Sequence, residues 1–217
     1  MFFKIKPGSR IILLAPHTDD IELGAGGFVN KAINSGAEAF YFAFSDCQES
    51  VPHGFDPGVL KNECYEATSK LGIPGKNVQV QDYRVRHFSD HRQEILEDLI
   101  RVRRDVKPDL VITPSLKDMH QDHQVIAKES IRAFKNTTII SYQFDWNCLE
   151  ISRNFFVNLS ECDIQAKIDA LSSYKSQQCK RYFEPDFVRS HAVVMGAQFG
   201  FDYAEGFELV RLVMANV

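Results

Sequence analysis

Short apolar segments alternate with segments of helical periodicity along this chain, and this alternation constrains the fold more than any other feature. The runs at 11–15, 39–44, 110–113 and 139–144 are rich in β-branched and aromatic residues, as buried strands are. Amphipathic segments of helical length separate them. Such an alternation is typical of βαβ units around a mainly parallel sheet.

The same pattern extends over the whole chain. Strands are predicted at 11–15, 39–44, 78–80, 110–113, 139–144, 155–159 and 207–214, and helices at 27–35, 59–71, 90–105, 123–134, 163–174 and 186–198. We therefore predict an α/β, Rossmann-like three-layer fold with a mainly parallel sheet and helices on both faces. With 217 residues, 44% of them hydrophobic, the chain can bury a full core, so we predict a single domain over 1–217.

Composition excludes several classes of partner. The net charge of -4 does not favour a nucleic acid or an anionic membrane surface. The five cysteines are odd in number and form no Cys-x-x-Cys pair, so we expect reduced thiols rather than disulfides or a thiolate zinc site. A signal-peptide pattern and an apolar run of membrane-spanning length are both absent from the sequence. These features predict a cytoplasmic protein without a membrane span, and a homo-oligomer is compatible with them.

Two polar clusters directly follow predicted strands. Pro16-His17-Thr18-Asp19-Asp20 follows the strand at 11–15, and His120-Gln121-Asp122-His123 lies shortly after the strand at 110–113. Open α/β sheets bind ligands in the crevice at the carboxyl ends of their parallel strands. Imidazole and carboxylate groups that meet there suggest a metal site.

The residue types in the two clusters match a catalytic zinc site. His17 and Asp20 can converge from the first turn, and His123 from the second strand end can complete a set of three ligands. Two histidines and one carboxylate leave a position for water, whose pKa zinc lowers to about 7, which implies metal-assisted hydrolysis. Iron(II), cobalt and manganese also suit this ligand set.

The remaining polar residues of the clusters have natural roles in such a reaction. Asp19, beside Asp20, is free to act as the general base and then to return the proton to a leaving amine. His120 can donate a hydrogen bond to the oxyanion of a tetrahedral intermediate, while Asp122 fixes or charges a nearby imidazole.

Several motifs together extend from about residue 10 to residue 208. They are Pro16-His17-Thr18-Asp19-Asp20-Ile21, Leu23-Gly24-Ala25-Gly26-Gly27, His120-Gln121-Asp122-His123, the helix pattern of Glu63, Ala67, Leu71 and Gly72, Tyr174-x-Ser176-Gln177, and Tyr203-Ala204-Glu205-Gly206-Phe207. This set resembles the PIG-L/LmbE-like family, the zinc-dependent de-N-acetylases named after the enzyme that deacetylates N-acetylglucosaminyl-phosphatidylinositol. The resemblance implies zinc ligands at His17, Asp20 and His123, a general base at Asp19, and an oxyanion-side pair formed by His120 and Asp122.

Three positions depart from the family's typical pattern. Thr18 replaces the usual proline, Ile21 replaces the usual acidic residue, and Asp118 stands where some relatives carry an active-site tyrosine. None of these changes removes a metal ligand. They affect the support around the ligands and the expected choice of substrate.

The function that the resemblance implies is removal of an acetyl group from an N-acetylated amino sugar or its conjugate. Two alternatives stay open: a metal-dependent amidase acting on a non-sugar amide, and a non-catalytic α/β module that binds a nucleotide or sugar. The glycines at 24–27 do not favour a dinucleotide site, because they begin nine residues after Ala15 and Val29 replaces the third glycine. We expect them to permit close helix packing.

Other polar residues have two interpretations each. Asp46 and Glu49, in the candidate substrate loop at 45–57, can bind a sugar hydroxyl or remain solvated. Arg84, Arg86 and His87 can meet an anionic group or form surface ion pairs. For the rest a structural role is predicted: surface positions for His53 and His91, packing or support for His191, and core packing for Trp146.

Overall fold

A computed structural model describes residues 5–214, and over that range seven strands form one sheet flanked by six helices. The strands are β1 (Arg10–Ala15), β2 (Glu38–Ala43), β3 (Val78–Val80), β4 (Leu110–Pro114), β5 (Thr138–Tyr142), β6 (Phe155–Leu159) and β7 (Tyr203–Arg211). The helices are α1 (Asp20–Asn34), α2 (Val59–Lys70), α3 (Arg92–Val106), α4 (Gln121–Ala133), α5 (Glu161–Leu171) and α6 (Pro185–Ala197). The predicted α/β fold class is confirmed.

The order of strands in the sheet is β3-β2-β1-β4-β5-β7-β6. The first five strands along the chain pair in parallel, and β7 is antiparallel to both of its neighbours. Strands β1, β2 and β3 follow one another towards one edge of the sheet, whereas β4 and β5 lie on the other side of β1. The point between β1 and β4 is therefore a topological switch point, where open α/β sheets form a ligand crevice.

Both faces of the sheet are buried, as the side chains of β1 illustrate. Ile11, Leu13 and Ala15 pack into one core, which the sheet shares with α1, α2, α5 and α6. Ile12 and Leu14 point to the opposite face and pack with α3 and α4. Because successive side chains of a strand alternate between faces, a strand buried on both sides reads as the continuous apolar run seen in the sequence.

Helix α1 begins at Asp20, and the sequence-based start at Gly27 is wrong. Three glycines lie inside the helix, where an added Cβ would lie 2.6 Å from the Tyr142 ring at Gly24, 3.0 Å from Lys167 at Gly26 and 2.6 Å from Leu159 at Gly27. Close packing against the sheet and α5 thus outweighs the low helix propensity of glycine. The expected packing role of the glycines is confirmed.

Strand β7 begins at Tyr203 rather than at the predicted residue 207, because its first part pairs with β6 and opposes Leu159. Its Glu205 carboxylate accepts hydrogen bonds from the backbone of α1, at Gly27 N (3.1 Å) and Phe28 N (2.7 Å). Lys167 Nζ bonds both Glu205 Oε1 and the Leu23 carbonyl, each at 2.7 Å. A buried ion pair from β7 and α5 therefore holds the middle of α1.

The other boundaries lie close to their predicted positions, although the first turn before α3 is a 3-10 helix at Phe88–His91. Over residues 5–214, a helix with the length and hydropathy needed to cross a membrane does not occur.

Candidate active site

A cavity of about 270 Å³ lies at the switch point, over the carboxyl ends of β1 and β4. The loop after β1 and the start of α1 form one wall, and the loop after β4 with the start of α4 forms another. The residues that line the cavity include His17, Thr18, Asp19, Asp20, Cys47, Ser50, Arg86, His120, His123, Phe144, Trp146, Asn147, Gln177, Lys180 and Tyr182. Both predicted polar clusters therefore meet in one cavity.

Three donor atoms form a compact triangle in this cavity. His17 Nδ1 lies 3.4 Å from Asp20 Oδ2, His123 Nε2 lies 3.4 Å from the same oxygen, and the two nitrogens are 3.2 Å apart. The backbone N–H of His17 also donates to Asp20 Oδ2 at 2.7 Å, which fixes the carboxylate. Ligands about 2.0 Å from a tetrahedral metal are about 3.3 Å from one another, so the triangle fits such an ion.

Each of these two histidines uses its other ring nitrogen to contact a buried carboxylate. His17 Nε2 lies 3.1 Å from Asp122 Oδ2, and His123 Nδ1 lies 2.8 Å from Asp118 Oδ2. A carboxylate only accepts hydrogen bonds, so these outer nitrogens carry protons, and the inner nitrogens are the atoms that could bind a metal in exchange for a proton. This arrangement of carboxylate and histidine is the usual support of a metal-ligating imidazole.

The electrostatics of the triangle favour positive charge at its centre. Burial lowers the pKa of His123, but Asp20 and Asp118 outweigh it and raise that pKa to about 10. Burial likewise opposes the rise in the pKa of His17, yet its hydrogen bonds to Asp122 and Asp20 prevail. Burial also disfavours the Asp20 carboxylate, but the two imidazoles hold its pKa well below the usual range. The two inner ring nitrogens and the Asp20 oxygen lie so close together that positive charge is needed among them. Either protons on the imidazoles or a bound metal ion can supply it.

His120 lies beside the triangle and differs from the other two histidines. Its Nδ1 accepts a hydrogen bond from the backbone N–H of Asp122 at 3.2 Å and so caps α4. Burial and the neighbouring imidazoles lower the pKa of His120 to about 4, so the ring is neutral with its proton on Nε2. The three histidines also form a wider group, with ligand atoms within 4.8 Å of one another, that could hold a metal.

Asp19 lines the cavity next to the triangle. Burial and the charge of Asp20 raise the pKa of its carboxyl group, while Lys180 acts in the opposite direction. Its side chain does not cap α1, although Asp19 occupies the capping position. The carboxyl group is therefore free to exchange a proton with a bound molecule.

The turn that carries Asp19 is held from behind by two buried tyrosines. The Tyr41 hydroxyl lies 2.7 Å from the Thr18 carbonyl oxygen, and the Tyr174 hydroxyl contacts the same oxygen. Both hydroxyls also contact the carboxyl group of Glu22, at 2.8 and 3.1 Å, and burial raises the pKa of Glu22 to about 8. Ile21, which replaces the family's acidic residue, packs in the apolar core. The buried acid thus stands one position later, which the sequence analysis missed.

The later motif around Tyr174 has a structural basis of the same kind. Glu63 of α2 is buried, and its carboxylate accepts hydrogen bonds from Ser176 N at 2.9 Å and Ser176 Oγ at 2.6 Å. This contact anchors the segment after α5, which then passes the cavity with Gln177, Lys180 and Tyr182. The motif residues therefore position the cavity wall.

The structure places Asp122 against an imidazole, as expected, but this imidazole is His17, and Asp122 does not line the cavity beside His120 as the expected oxyanion-side pair. His120 faces the cavity, whereas the fully buried Asp122 lies behind His17 and also accepts hydrogen bonds from Arg86 N and Phe88 N, at 2.6 and 3.3 Å. Asp118, which stands where some relatives carry a tyrosine, supports His123, a role that the sequence analysis does not predict. Its spacing of five residues from His123 was the available signal.

The core role predicted for Trp146 is wrong. Its side chain is 40% exposed and lines the cavity, stacked on Phe144 and Tyr182 with ring centroids 5.0 and 4.5 Å away. Lys180, whose ammonium lies 5.8 Å from the Tyr182 ring centre, also had no sequence signal. These residues come from the loop after β5 and the segment after α5, which are remote in sequence from the histidine clusters.

The undecided polar residues divide clearly in the structure. Arg84 forms an ion pair with Glu49 at 2.7 Å, and His87 contacts Asp90 at 3.1 Å. Asp46 contacts its neighbour Gln48 and lies outside the cavity lining. The structural roles predicted for the other histidines fit their positions: His53 is exposed, His91 contacts the Tyr83 ring, and His191 bonds Asp145 at 2.7 Å. Of the undecided residues, Arg86 lines the cavity.

A family model, PIG-L: GlcNAc-PI de-N-acetylase, matches residues 12–134 of the chain. The match covers just over half of the 217 residues and includes both polar clusters. Among characterised proteins, the chain is similar to the diacetylchitobiose deacetylase of Thermococcus kodakarensis. The two are 22% identical over 231 residues, which cover 96% of this chain and 85% of the relative.

Solved structures share the fold. The N,N'-diacetylchitobiose deacetylase of Pyrococcus horikoshii has a TM-score of 0.75 and 21% identity, and the match covers 92% of this chain and 83% of that one. GalB, the 4-carboxy-2-hydroxymuconate hydratase of Pseudomonas putida KT2440, has a TM-score of 0.78 and 19% identity over 96% of this chain and 99% of that one. At these identities the likeness shows the fold alone, and the fold carries more than one reaction.

Proposed function

Because the chain belongs to the PIG-L family of GlcNAc-PI de-N-acetylases, we propose that it is a metal-dependent hydrolase that removes the acetyl group from an N-acetylated amino sugar or its conjugate. The observation that carries this proposal is the triangle of His17 Nδ1, Asp20 Oδ2 and His123 Nε2 in the cavity, with the Asp19 carboxyl group beside it. Amide hydrolysis needs an activated water, an oxyanion stabiliser and a proton donor for the leaving nitrogen.

We assign the metal to His17, Asp20 and His123 rather than to the wider group of three histidines. The edges of 3.2 to 3.4 Å favour the first set, since the wider group spreads its atoms over as much as 4.8 Å. His120 also spends its Nδ1 lone pair on the backbone of α4. A bound zinc ion would lower the pKa of a water to about 7 and polarise the amide carbonyl; iron(II) is compatible with the same ligands.

Asp19 is proposed as the general base and then the general acid. The pKa of its carboxyl group is raised towards neutral pH. Such a group can take a proton from the attacking water and then give it to the departing amine nitrogen. Its position next to Asp20 in sequence keeps it beside the metal ligands without making it one.

His120 is proposed as the donor to the oxyanion. Because Nδ1 accepts from the Asp122 backbone and the pKa is about 4, the neutral ring offers its Nε2–H at physiological pH. Asp122 and Asp118 act through His17 and His123, whose ring orientations they fix, and are therefore positioning residues.

An N-acetylated sugar as the substrate is supported by the diacetylchitobiose deacetylase that the chain resembles over 96% of its length. The polar lining and the exposed edge of Trp146 are also compatible with a sugar ring. A cytoplasmic location remains part of the proposal, and the free thiols of all five cysteines are in accord with it.

The test combines metal content with acetate release. Wild-type protein, prepared without chelators or a metal-binding tag, is assayed on N-acetylglucosamine and diacetylchitobiose. We expect about one zinc per chain and one acetate released for each free amine formed. His123→Ala should lose both the zinc and the acetate release. Asp19→Asn should keep its metal and lose most activity, since general acid–base catalysis contributes about 10²- to 10⁴-fold.

His53→Ala and Asp46→Asn are the matched controls, because both side chains lie outside the cavity lining. Full activity in Asp19→Asn would contradict the proposed base. Bound metal without acetate release would favour the alternative of an amidase that acts on a non-sugar amide. Protein that takes up no metal when zinc is ample would favour a non-catalytic binding module.

A further inference from the structure

Arg86 has a backbone conformation that non-glycine residues rarely adopt. Its φ is +69°, and the other non-glycine residues with positive φ in the part of the chain that the structure describes are Cys47 and Lys107. Two of these three, Cys47 and Arg86, line the cavity. Left-handed backbone costs about 1 kcal/mol or more in a non-glycine residue and persists where its surroundings fix it, often at ligand sites.

The contact that fixes Arg86 comes from the candidate metal centre itself. Its backbone N–H donates to Asp122 Oδ2 at 2.6 Å, and the same oxygen lies 3.1 Å from His17 Nε2. One carboxylate therefore sets both the orientation of a proposed metal ligand and the course of the chain at Arg86. The Arg86 backbone is thereby fixed at the cavity wall, and its exposed side chain is part of the cavity lining.

Among the residues that the structure describes, the guanidinium group of Arg86 has no acidic partner. Its neighbours Arg84 and His87 are both paired, with Glu49 and Asp90. Over residues 5–214, neither Arg86 nor Lys180, the second cation in the cavity lining, forms an ion pair within 4.0 Å. Burial lowers the pKa of Lys180, but the charge of Asp19 outweighs it and raises that pKa, so the ammonium is charged.

We infer that the substrate carries an oxyanionic group, a phosphate or a carboxylate, which the Arg86 guanidinium binds while Lys180 supplies a second positive charge. The inference rests on the proposed function and narrows its substrate class to charged N-acetylated sugars. A guanidinium binds two oxygens of a phosphate or carboxylate through parallel N–H donors, and a guanidinium without an ion pair at a cavity wall is available for such a contact. Asp19 and Asp20 line the same cavity as part of the candidate metal centre, whereas Arg86 and Lys180 form no ion pair over residues 5–214 and so favour an anion at their side of the cavity.

The kinetic test compares three substrates at constant ionic strength: N-acetylglucosamine, N-acetylglucosamine 1-phosphate and N-acetylmuramic acid. We expect kcat/KM for at least one charged sugar to exceed that for N-acetylglucosamine by about 10-fold or more. Arg86→Gln should remove that advantage, with a change below about 3-fold on the neutral sugar. The better of the two charged sugars identifies phosphate or carboxylate as the group bound.

Arg84→Gln is the matched control, because this neighbouring arginine is paired with Glu49 and lies outside the cavity lining. It should retain the preference for the charged sugar. Equal losses in Arg84→Gln and Arg86→Gln, or an unchanged preference in Arg86→Gln, would overturn the inference.

A binding measurement separates this inference from the proposed function. The chain has one tryptophan, Trp146, which lines the cavity and provides an intrinsic fluorescence probe. We expect the Asp19→Asn protein to bind N-acetylglucosamine 1-phosphate or N-acetylmuramic acid about 10- to 100-fold more tightly than N-acetylglucosamine, and to lose this difference with Arg86→Gln. Lys180→Gln should reduce the difference less.

Binding that depends on Arg86 without any acetate release would uphold the anion site and reject the deacetylase. Acetate release from neutral sugars, together with equal affinities for charged and neutral sugars, would uphold the deacetylase and reject the anion site.

Discussion

Two segments each deliver a histidine to the same triangle: the loop after β1, and residues 115–124, here called the β4 loop, which join the loop after β4 to the first turn of α4. The two segments are held in place differently. In the β4 loop, Asp118 supports His123 from five residues away, and its other oxygen accepts from the backbone N–H of His120 at 2.8 Å. In the β1 loop, His17 depends on Asp122 of α4, and the Thr18 carbonyl depends on tyrosines of β2 and of the segment after α5.

The difference teaches that one half of the site is organised locally and the other by the tertiary fold. Asp118 supports both His120 and His123 from within residues 115–124, and Asn147 of the loop after β5 adds two hydrogen bonds, one to Asp118 Oδ1 and one from Met119 N. The contacts of the β1 loop span more than half of the chain, since residue 174 lies far from residue 18. Substitutions around the β1 loop should therefore act over longer distances than those around the β4 loop.

The largest expected effect tests which loop supplies the third metal donor. Asp20→Asn should bind zinc more than about 100-fold more weakly and lose acetate release, because losing a ligand costs more than losing its support. His120→Gln should retain zinc and lose about 10²- to 10³-fold in kcat, as expected for an oxyanion donor. Zinc titration and steady-state kinetics on both variants decide the matter.

The opposite outcome, in which His120→Gln loses zinc while Asp20→Asn keeps it, would assign the metal to the three histidines. The β4 loop would then supply two donors and the β1 loop one.

An intermediate effect separates the two supporting carboxylates. Asp122→Asn and Asp118→Asn should each weaken zinc binding by about 10- to 100-fold, because an amide cannot accept at both of its terminal atoms. Only Asp122→Asn should also weaken binding of N-acetylglucosamine 1-phosphate, since Asp122 holds the Arg86 backbone as well as His17. Chelator competition and Trp146 fluorescence measure the two affinities.

If both variants lose zinc affinity and keep the same affinity for the charged sugar, Asp122 would not transmit its effect to Arg86. The contrast between the loops would then be limited to the metal ligands.

The smallest expected effect concerns the tyrosines behind the β1 loop. Tyr174→Phe should lower the free energy of unfolding by about 1–2 kcal/mol, because it removes the hydroxyl that contacts the Thr18 carbonyl and Glu22. Acetate release should fall only a few-fold, since Tyr41 still donates to the same carbonyl. Urea denaturation of the metal-free protein measures the change.

Tyr65→Phe serves as the control, because Tyr65 is 38% exposed and its hydroxyl lies outside this network. An equal effect of the two substitutions would mean that the tertiary contacts of the β1 loop carry no special weight.

Sequence patterns were most informative where chemistry and periodicity coincide. The buried runs identified β1 and β4, and the rule that ligands bind at strand ends correctly brought the histidine clusters together. The packing role of the glycines at 24–27 also followed from their spacing, although their low helix propensity displaced the predicted start of α1.

What the sequence could not supply was the pairing of groups across the fold. Which carboxylate faces which imidazole depends on where α4 lies relative to β1, so the sequence indicated an imidazole beside Asp122 but not that it is His17. Trp146 reaches the cavity from a segment without a motif, and Lys180 lies three residues beyond the Tyr174-x-Ser176-Gln177 motif without belonging to it. The position of β7 between β5 and β6 depends on which strands pair, and the periodicity of single strands does not specify this.

Because β7 lies between β5 and β6, the sheet cannot be assembled in the order in which a ribosome synthesises its strands. When β5 has emerged, shortly after His123, it still lacks its antiparallel neighbour, and α1 lacks the Glu205 carboxylate that bonds its backbone at Gly27. A nascent chain at that stage exposes an unpaired edge, a state prone to aggregation. The half of the protein that bears the histidines thus reaches its final form only after β7 is inserted.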